Sequence, residues 1–216
     1  MTDPSQLIQQ IAIFALPVIF AITMHEAAHG YAARHFGDST AYMLGRISLN
    51  PMRHIDPVGT VLVPMITLAL GGILFGWAKP VPVNFNNLRN PKKDMLWVAA
   101  AGPGANLVMA IFWAFAMKLA ALMPGNYFAA PLFSMGQAGV HINVVLMVLN
   151  LLPLPPLDGG RIAVSLLPNP MSYRFAQIEP YGMIILVVLL ATNMLGVILR
   201  PIIDLTLQLL SLVFGF

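Results

Sequence analysis

His25, Glu26 and His29 are the residues of this chain best placed to do chemistry. Four positions apart, His25 and His29 share one face of a helix, where two imidazoles can grip a single metal ion. Glu26, one residue on, falls within reach of a water bound to that ion. In a soluble enzyme the run Met24-His25-Glu26-Ala27-Ala28-His29 suggests a zinc protease. Here it sits at the inner end of an apolar stretch long enough to cross a bilayer, which suggests a protease whose substrate is also in the membrane. Two helix histidines spaced by chance are the competing explanation, and the setting weighs against it. Each ionisable group in a transmembrane helix costs about 2.5 kcal/mol or more. Three within five residues, with no Lys or Arg in the same apolar run, need a partner such as a divalent cation.

Composition points to the same class. Of 216 residues, 58% are apolar and 9% charged, against about 25% charged in a soluble domain. Such a chain cannot cover a water-facing surface, so an integral membrane protein is expected. The length fits one domain over 1–216, with no room for a soluble accessory module. Absence of cysteine excludes disulfides, thiolate ligands and cysteine nucleophiles, so the metal ligands must be His and carboxylate, as in a catalytic zinc site. The net charge of +3 is spread over juxtamembrane loops, and nothing suggests nucleic acid as a partner. Met1-Thr2-Asp3-Pro4-Ser5 lacks a basic signal-peptide start, and the first apolar run continues into the histidine motif, so that run is expected to be retained.

The elements that position these residues follow from hydropathy and breakers. Helices are expected over about 7–36, 95–123, 132–168 (broken at the prolines of 153–156) and 181–199. The apolar stretch 202–216 is short, fitting a tilted span, a half-span or a surface helix. Alternation in 42–48 suggests a short strand, and 79–84 an extended edge segment. Segment 58–76 is apolar but interrupted by Pro64 and Gly71-Gly72. The expected architecture is an all-α polytopic membrane protein. It has a three-helix catalytic core, a small membrane-associated β-segment or re-entrant element, and additional C-terminal helices.

A catalytic zinc takes three protein ligands and an open position, so the two histidines need a third. Asp158 stands out. It follows Pro153, Pro155 and Pro156, which unwind the backbone, and precedes Gly159 and Gly160, which permit close approach. Irregular backbone at membrane depth is tolerated only inside protein or beside a wet cavity. Asp158 is therefore either a ligand or a simple cap of the helix that follows. His35, His141, Arg200 and Asp204 read as structural or interfacial.

The chain resembles the site-2 protease family of intramembrane zinc metalloproteases. The likeness rests on HEAAH, on Ala101-Gly102-Pro103-Gly104-Ala105-Asn106 within a later helix, and on Asn150-Leu151-Leu152-Pro153-Leu154-Pro155-Pro156-Leu157-Asp158-Gly159-Gly160. The stretches Gly45–Pro51, His54–Thr60 and Trp77–Asn84 resemble the compact prokaryotic branch, which carries no PDZ or CBS module. The resemblance implies that His25, His29 and Asp158 hold one zinc ion per chain and that Glu26 is the catalytic base. It also implies that Asn150 helps to hold the substrate or the oxyanion. The implied activity is regulated intramembrane proteolysis of a transmembrane protein substrate, in the lipid bilayer of a prokaryotic cell membrane.

One zinc shared by the ends of two helices also constrains topology. His29 and Asp158 must lie at similar depth on the same side, so the number of full crossings between them is even. Of the three apolar segments between them, 58–76 is the weakest and has basic flanks on both sides, Arg34, Arg46 and Arg53 before it and Lys79, Arg89, Lys92 and Lys93 after. It is expected to be re-entrant, with the site nearer the cytoplasmic face. Asn143, Asn150 and His54 are expected to line a polar vestibule, and the edge of 79–84 or 42–49 to hold an unwound substrate strand by β-addition. The alternative from another class is a zinc-binding membrane transporter or channel that does no chemistry. A transporter would have no need of the carboxylate of Glu26 beside the metal.

Overall fold

A computed structural model of the chain describes residues 4–62 and 78–215. Helix α1, Pro4–His35, carries the histidine motif in its last third. Its end is fixed by local chemistry. The Gly37 amide donates to Arg34 O (3.2 Å) and the Asp38 amide to Ala33 O (2.9 Å), with Gly37 at φ 115°, a conformation glycine adopts without a Cβ penalty. Arg34 and His35 sit in the final turn, where the helix dipole favours positive charge.

Asp38 then starts α2, the single turn Thr40–Met43, by accepting from the Thr40 amide (3.0 Å) and the Thr40 hydroxyl (2.5 Å). This corrects the strand expected at 42–48. Tyr42 and Met43 are helical, and no strand occurs among the described residues. Hydroxyl and carboxylate capping outweighs a short polar–apolar alternation.

The remaining long elements are α3 (Pro91–Ala121), α4 (Ala129–Asn150), α5 (Asp158–Leu166), α6 (Asn169–Ala176), α7 (Glu179–Ala191) and α8 (Met194–Phe214). Pro91 opens α3, and Asp94 reaches back to the Asn90 amide (2.7 Å). The stretch Ile13–His35, α3, α4 and α8 are each long and apolar enough to cross a membrane. The pair α6 and α7, bent by 60°, passes that test only together. The chain is a multi-pass membrane protein.

The C-terminal boundary differs from expectation. The break falls at Thr192–Asn193, with Asn193 in the left-handed region at φ 61°, and not at 199–202. Pro201 lies inside α8, whose 21 residues span about 31 Å. A proline costs one hydrogen bond in a helix, a loss that membrane helices tolerate where neighbouring groups adjust. Stretch 202–216 is thus mostly the second half of a full-length helix.

Helices α1, α3 and α4 pack on one another pairwise, α5 lies on α3, and α8 lies on α4. The main apolar cluster joins Trp113 and Met117 of α3 to Val140, Val144 and Val148 of α4. On α4 the backbone of Gly139 meets the Trp113 ring so closely that a Cβ would stand 2.2 Å from it.

Before α3 the chain makes an excursion whose two ends touch. The Lys79 amide donates to His54 O (2.9 Å), and Arg46 donates to Lys79 O (3.2 Å) and Pro80 O (3.3 Å). A short π-helical turn, Pro57–Leu62, begins the excursion. The rest of the expected re-entrant segment 58–76 lies outside the described residues.

Candidate metal centre

Helical spacing brings His25 Nε2 and His29 Nε2 to 3.2 Å from each other. Asp158 reaches them because residues 151–157 fold into tight turns after α4, with the Leu154 amide on Leu152 O (2.7 Å) and the Leu157 amide on Leu154 O (2.9 Å). Asp158 is the first residue of α5, and its Oδ2 lies 3.2 Å from His25 Nε2 and 3.3 Å from His29 Nε2. The N-cap position of α5 is Leu157, and Asp158 follows it in the first turn.

The outer nitrogens of both rings identify their protonation. His29 Nδ1 lies 2.8 Å from Val98 O, a carbonyl that can only accept. His25 Nδ1 lies 2.6 Å from Asn106 Oδ1. Both Nδ1 atoms therefore carry a proton, and in the neutral form of each ring Nε2 is the atom that presents a lone pair. Those lone pairs face each other beside Asp158 Oδ2, a buried oxygen with no hydrogen-bond donor. Three converging acceptors without a proton between them repel, and a divalent cation reverses the sign of the interaction. The three ligand atoms all lie within 4.8 Å of one another. Two imidazoles and one carboxylate with a position left open are the donor set of a catalytic zinc.

Gly102 of α3 forms the floor. A Cβ there would stand 2.4 Å from His29 Nε2 and 2.6 Å from His25 Cε1, so only glycine leaves room for the rings. Glu26 is half-buried, and its Oε2 accepts from the Val81 amide at 2.7 Å.

The other expected site residues are placed differently. Asn150, at the end of α4, donates to Leu146 O of its own helix (3.0 Å) and has no described hydrogen bond to His25, His29 or Asp158. Asn143 does not line a vestibule. It is 0% exposed and locked between Gly139 O and Asn106. His54 is 2% exposed and donates to Ser48 O (2.8 Å), so it too faces no described water path.

The edge at 79–84 is also largely used up. Lys79 donates to His54, Val81 to Glu26 and Asn84 to Asp38, while Pro80 and Pro82 have no N–H. Val83 is thus the one residue of 79–84 whose N–H has no described partner. A cavity of about 350 Å³, lined among others by Val83, Phe85, Met95, Pro155 and Arg161, flanks the centre without containing it.

Gly102, Asn106 and Val98 O had no role assigned from sequence, and Val81 was expected only as part of the 79–84 edge. One signal was available: Gly102 and Asn106 are four residues apart and so share a helix face.

Comparison with known proteins adds an independent line. A model of "Peptidase family M50" matches residues 117–190, which include Asn150 and Asp158. "Putative zinc metalloprotease YwhC" of Bacillus subtilis is 40% identical over 194 residues, spanning 88% of this chain and 84% of that one. "Putative zinc metalloprotease Rip2" of Mycolicibacterium smegmatis is 33% identical over 206 residues, or 90% and 73% of the two chains. No solved structure matches the chain.

Proposed function

The chain belongs to peptidase family M50, the site-2 protease family of zinc metalloproteases, and on that premise we propose that it hydrolyses a peptide bond within or near a transmembrane segment of a membrane-protein substrate. In this reading His25, His29 and Asp158 hold one zinc ion. The carrying observation is the convergence of His25 Nε2, His29 Nε2 and Asp158 Oδ2, all within 4.8 Å of one another. Zinc bound there polarises a scissile carbonyl and lowers the pKa of water toward about 7.

Glu26 is the general base. Its Oε2 is held by the Val81 amide, which leaves Oε1 to take a proton from the attacking water and pass it to the leaving amide nitrogen. Such proton transfer is worth typically about 10²–10⁴-fold. Asn150 keeps one amide hydrogen beyond the one given to Leu146 O, and we assign that hydrogen to the substrate carbonyl as negative charge develops on it.

The orientation puts the N-terminus outside and the site nearer the cytoplasmic face. Two spanning helices, α3 and α4, separate His29 from Asp158. The bond between His54 and Lys79 supports a path that returns to the face it left, and basic residues flank it on both sides.

The test is Glu26→Gln. The purified variant should retain one zinc per chain and lose at least about 100-fold of its cleavage of a single-span substrate in detergent. Cleavage at the wild-type rate would sink the mechanism. Zinc bound with no cleavage by the wild type on any membrane substrate would favour a transporter. Cysteine labelling at positions 53 and 89 from opposite sides of the membrane would overturn the orientation.

A further inference from the structure

Two buried amides link the metal centre to the backbone of α4. Asn143 of α4 and Asn106 of α3 are each 0% exposed. Gly139 O has no hydrogen to give, so it takes one from Asn143 Nδ2 at 2.8 Å. That turns Asn143 Oδ1 toward Asn106, whose Nδ2 donates to it at 3.0 Å and to Ala21 O at 3.3 Å. Asn106 Oδ1 is then the one atom left to meet His25 Nδ1, at 2.6 Å. Each link is oriented by the one before, and the series starts from a backbone carbonyl whose polarity cannot change.

An apolar pair of similar volume would fill the same space without needing partners. What it could not do is specify a proton on His25 Nδ1. His29 gets the same instruction from Val98 O, a main-chain atom that no substitution alters directly. The control of His25 is vested in side chains.

We propose that Asn106 and Asn143 are positioning residues for the metal centre. The relay fixes His25 in the Nδ1-protonated tautomer and locks its ring, so that Nε2 is a ready ligand. The proposal rests on the reading of His25 as a zinc ligand given above. A partner on the outer nitrogen of a metal-bound histidine sets ring orientation and ligand basicity, and its loss typically costs about 10–100-fold in metal affinity.

The test uses the full chain in detergent. Zinc affinity is measured by competition with a chromophoric chelator, alongside the melting temperature of each metal-free protein. Asn106→Leu should weaken zinc about 10–100-fold. Asn106→Asp, which still offers Nδ1–H an acceptor but cannot donate to Asn143 Oδ1 or Ala21 O, and Asn143→Leu, which leaves Asn106 in place but unanchored, should both fall between Asn106→Leu and the wild type.

Wild-type zinc affinity in both leucine variants, even with lowered melting temperatures, would make the amides a clamp between helices and overturn the proposal. His25→Ala separates this failure from that of the underlying reading. If it too holds zinc like the wild type, His25 is not a ligand at all. Where a leucine variant yields no folded protein, ¹⁵N-histidine spectra of the zinc-loaded wild type decide. A slowly exchanging His25 Nδ1–H with a through-space contact to the Asn106 amide supports the relay, and a rapidly exchanging or absent Nδ1–H overturns it.

Discussion

Gly102→Ala puts one methyl group into the floor of the metal centre. The added Cβ would stand 2.4 Å from His29 Nε2 and 2.6 Å from both His25 Cε1 and His29 Cε1, where ordinary contact begins near 3.4 Å. The rings and α3 must therefore separate by about 1 Å, whereas metal–ligand distances tolerate only about 0.2 Å. Overpacking of this kind costs about 1–3 kcal/mol. If that strain is relieved by moving the histidines, zinc binds roughly 5- to 150-fold more weakly. The assay is chelator competition on the purified variant, with turnover of a single-span substrate measured beside it. Gly104→Ala is the control, because a Cβ two residues further on meets nothing within 4 Å. It should keep zinc affinity and activity. Wild-type zinc affinity and turnover in Gly102→Ala would refute the placement of Gly102 beneath the two rings.

Val81→Pro removes the amide that holds Glu26 at 2.7 Å. A hydrogen bond to a charged group is worth about 1.5–3 kcal/mol, so turnover should fall roughly 10- to 100-fold while zinc content stays at one per chain; loss of zinc would contradict this assignment. Gly182→Ala would set a Cβ 1.6 Å from Pro155 O and push α7 off the turn that presents Asp158. At about 2–4 °C per kcal/mol, melting should drop by several degrees and zinc affinity should fall with it, and an unchanged melting temperature would argue that α7 does not seat there. For Asp38, burial pushes the carboxyl up, but hydrogen bonds from Thr40, Asn87 and the Asn84 amide outweigh it and hold the pKa below its ordinary 3.8. A depressed folded pKa contributes stability above the unfolded value and loses it as pH falls through the folded one. Asp38→Asn should therefore be less stable than wild type at about pH 7, by a margin that shrinks below about pH 3.8; a constant margin in thermal melts would rule this out.

The parts of the site that lie on one helix or beside a strong breaker were legible in the sequence. His25 and His29 meet because helical geometry fixes spacing four, and Asp158 stood out because prolines and glycines surround it. What joins separate helices was not legible. Asn143 in an apolar helix is equally compatible with a water path and with a buried strut, and only its pairing with Asn106 and Gly139 O decides for the strut. Val81 reaches Glu26 across 55 positions of chain, a pairing that no local pattern encodes. The helix boundary was misplaced because Pro201 is a conspicuous breaker, while the left-handed Asn193 that makes the break carries little sequence signal. The strand at 42–48 failed because a capping carboxylate two residues before Thr40 decides the backbone there.

The bond between the Lys79 amide and His54 O has a mechanical consequence. It is the neck of a noose, and the strand leaving that neck reaches Val81, whose amide grips the carboxylate of Glu26, after only two more residues. Tension on the excursion is borne first by the neck and next by the Glu26 carboxylate, with no helix between them to absorb it. Glu26 stands between His25 and His29 on α1, so that force passes into the helix turn that bears both histidines. A pull at this point would act on the Glu26 carboxylate and on its two histidine neighbours together.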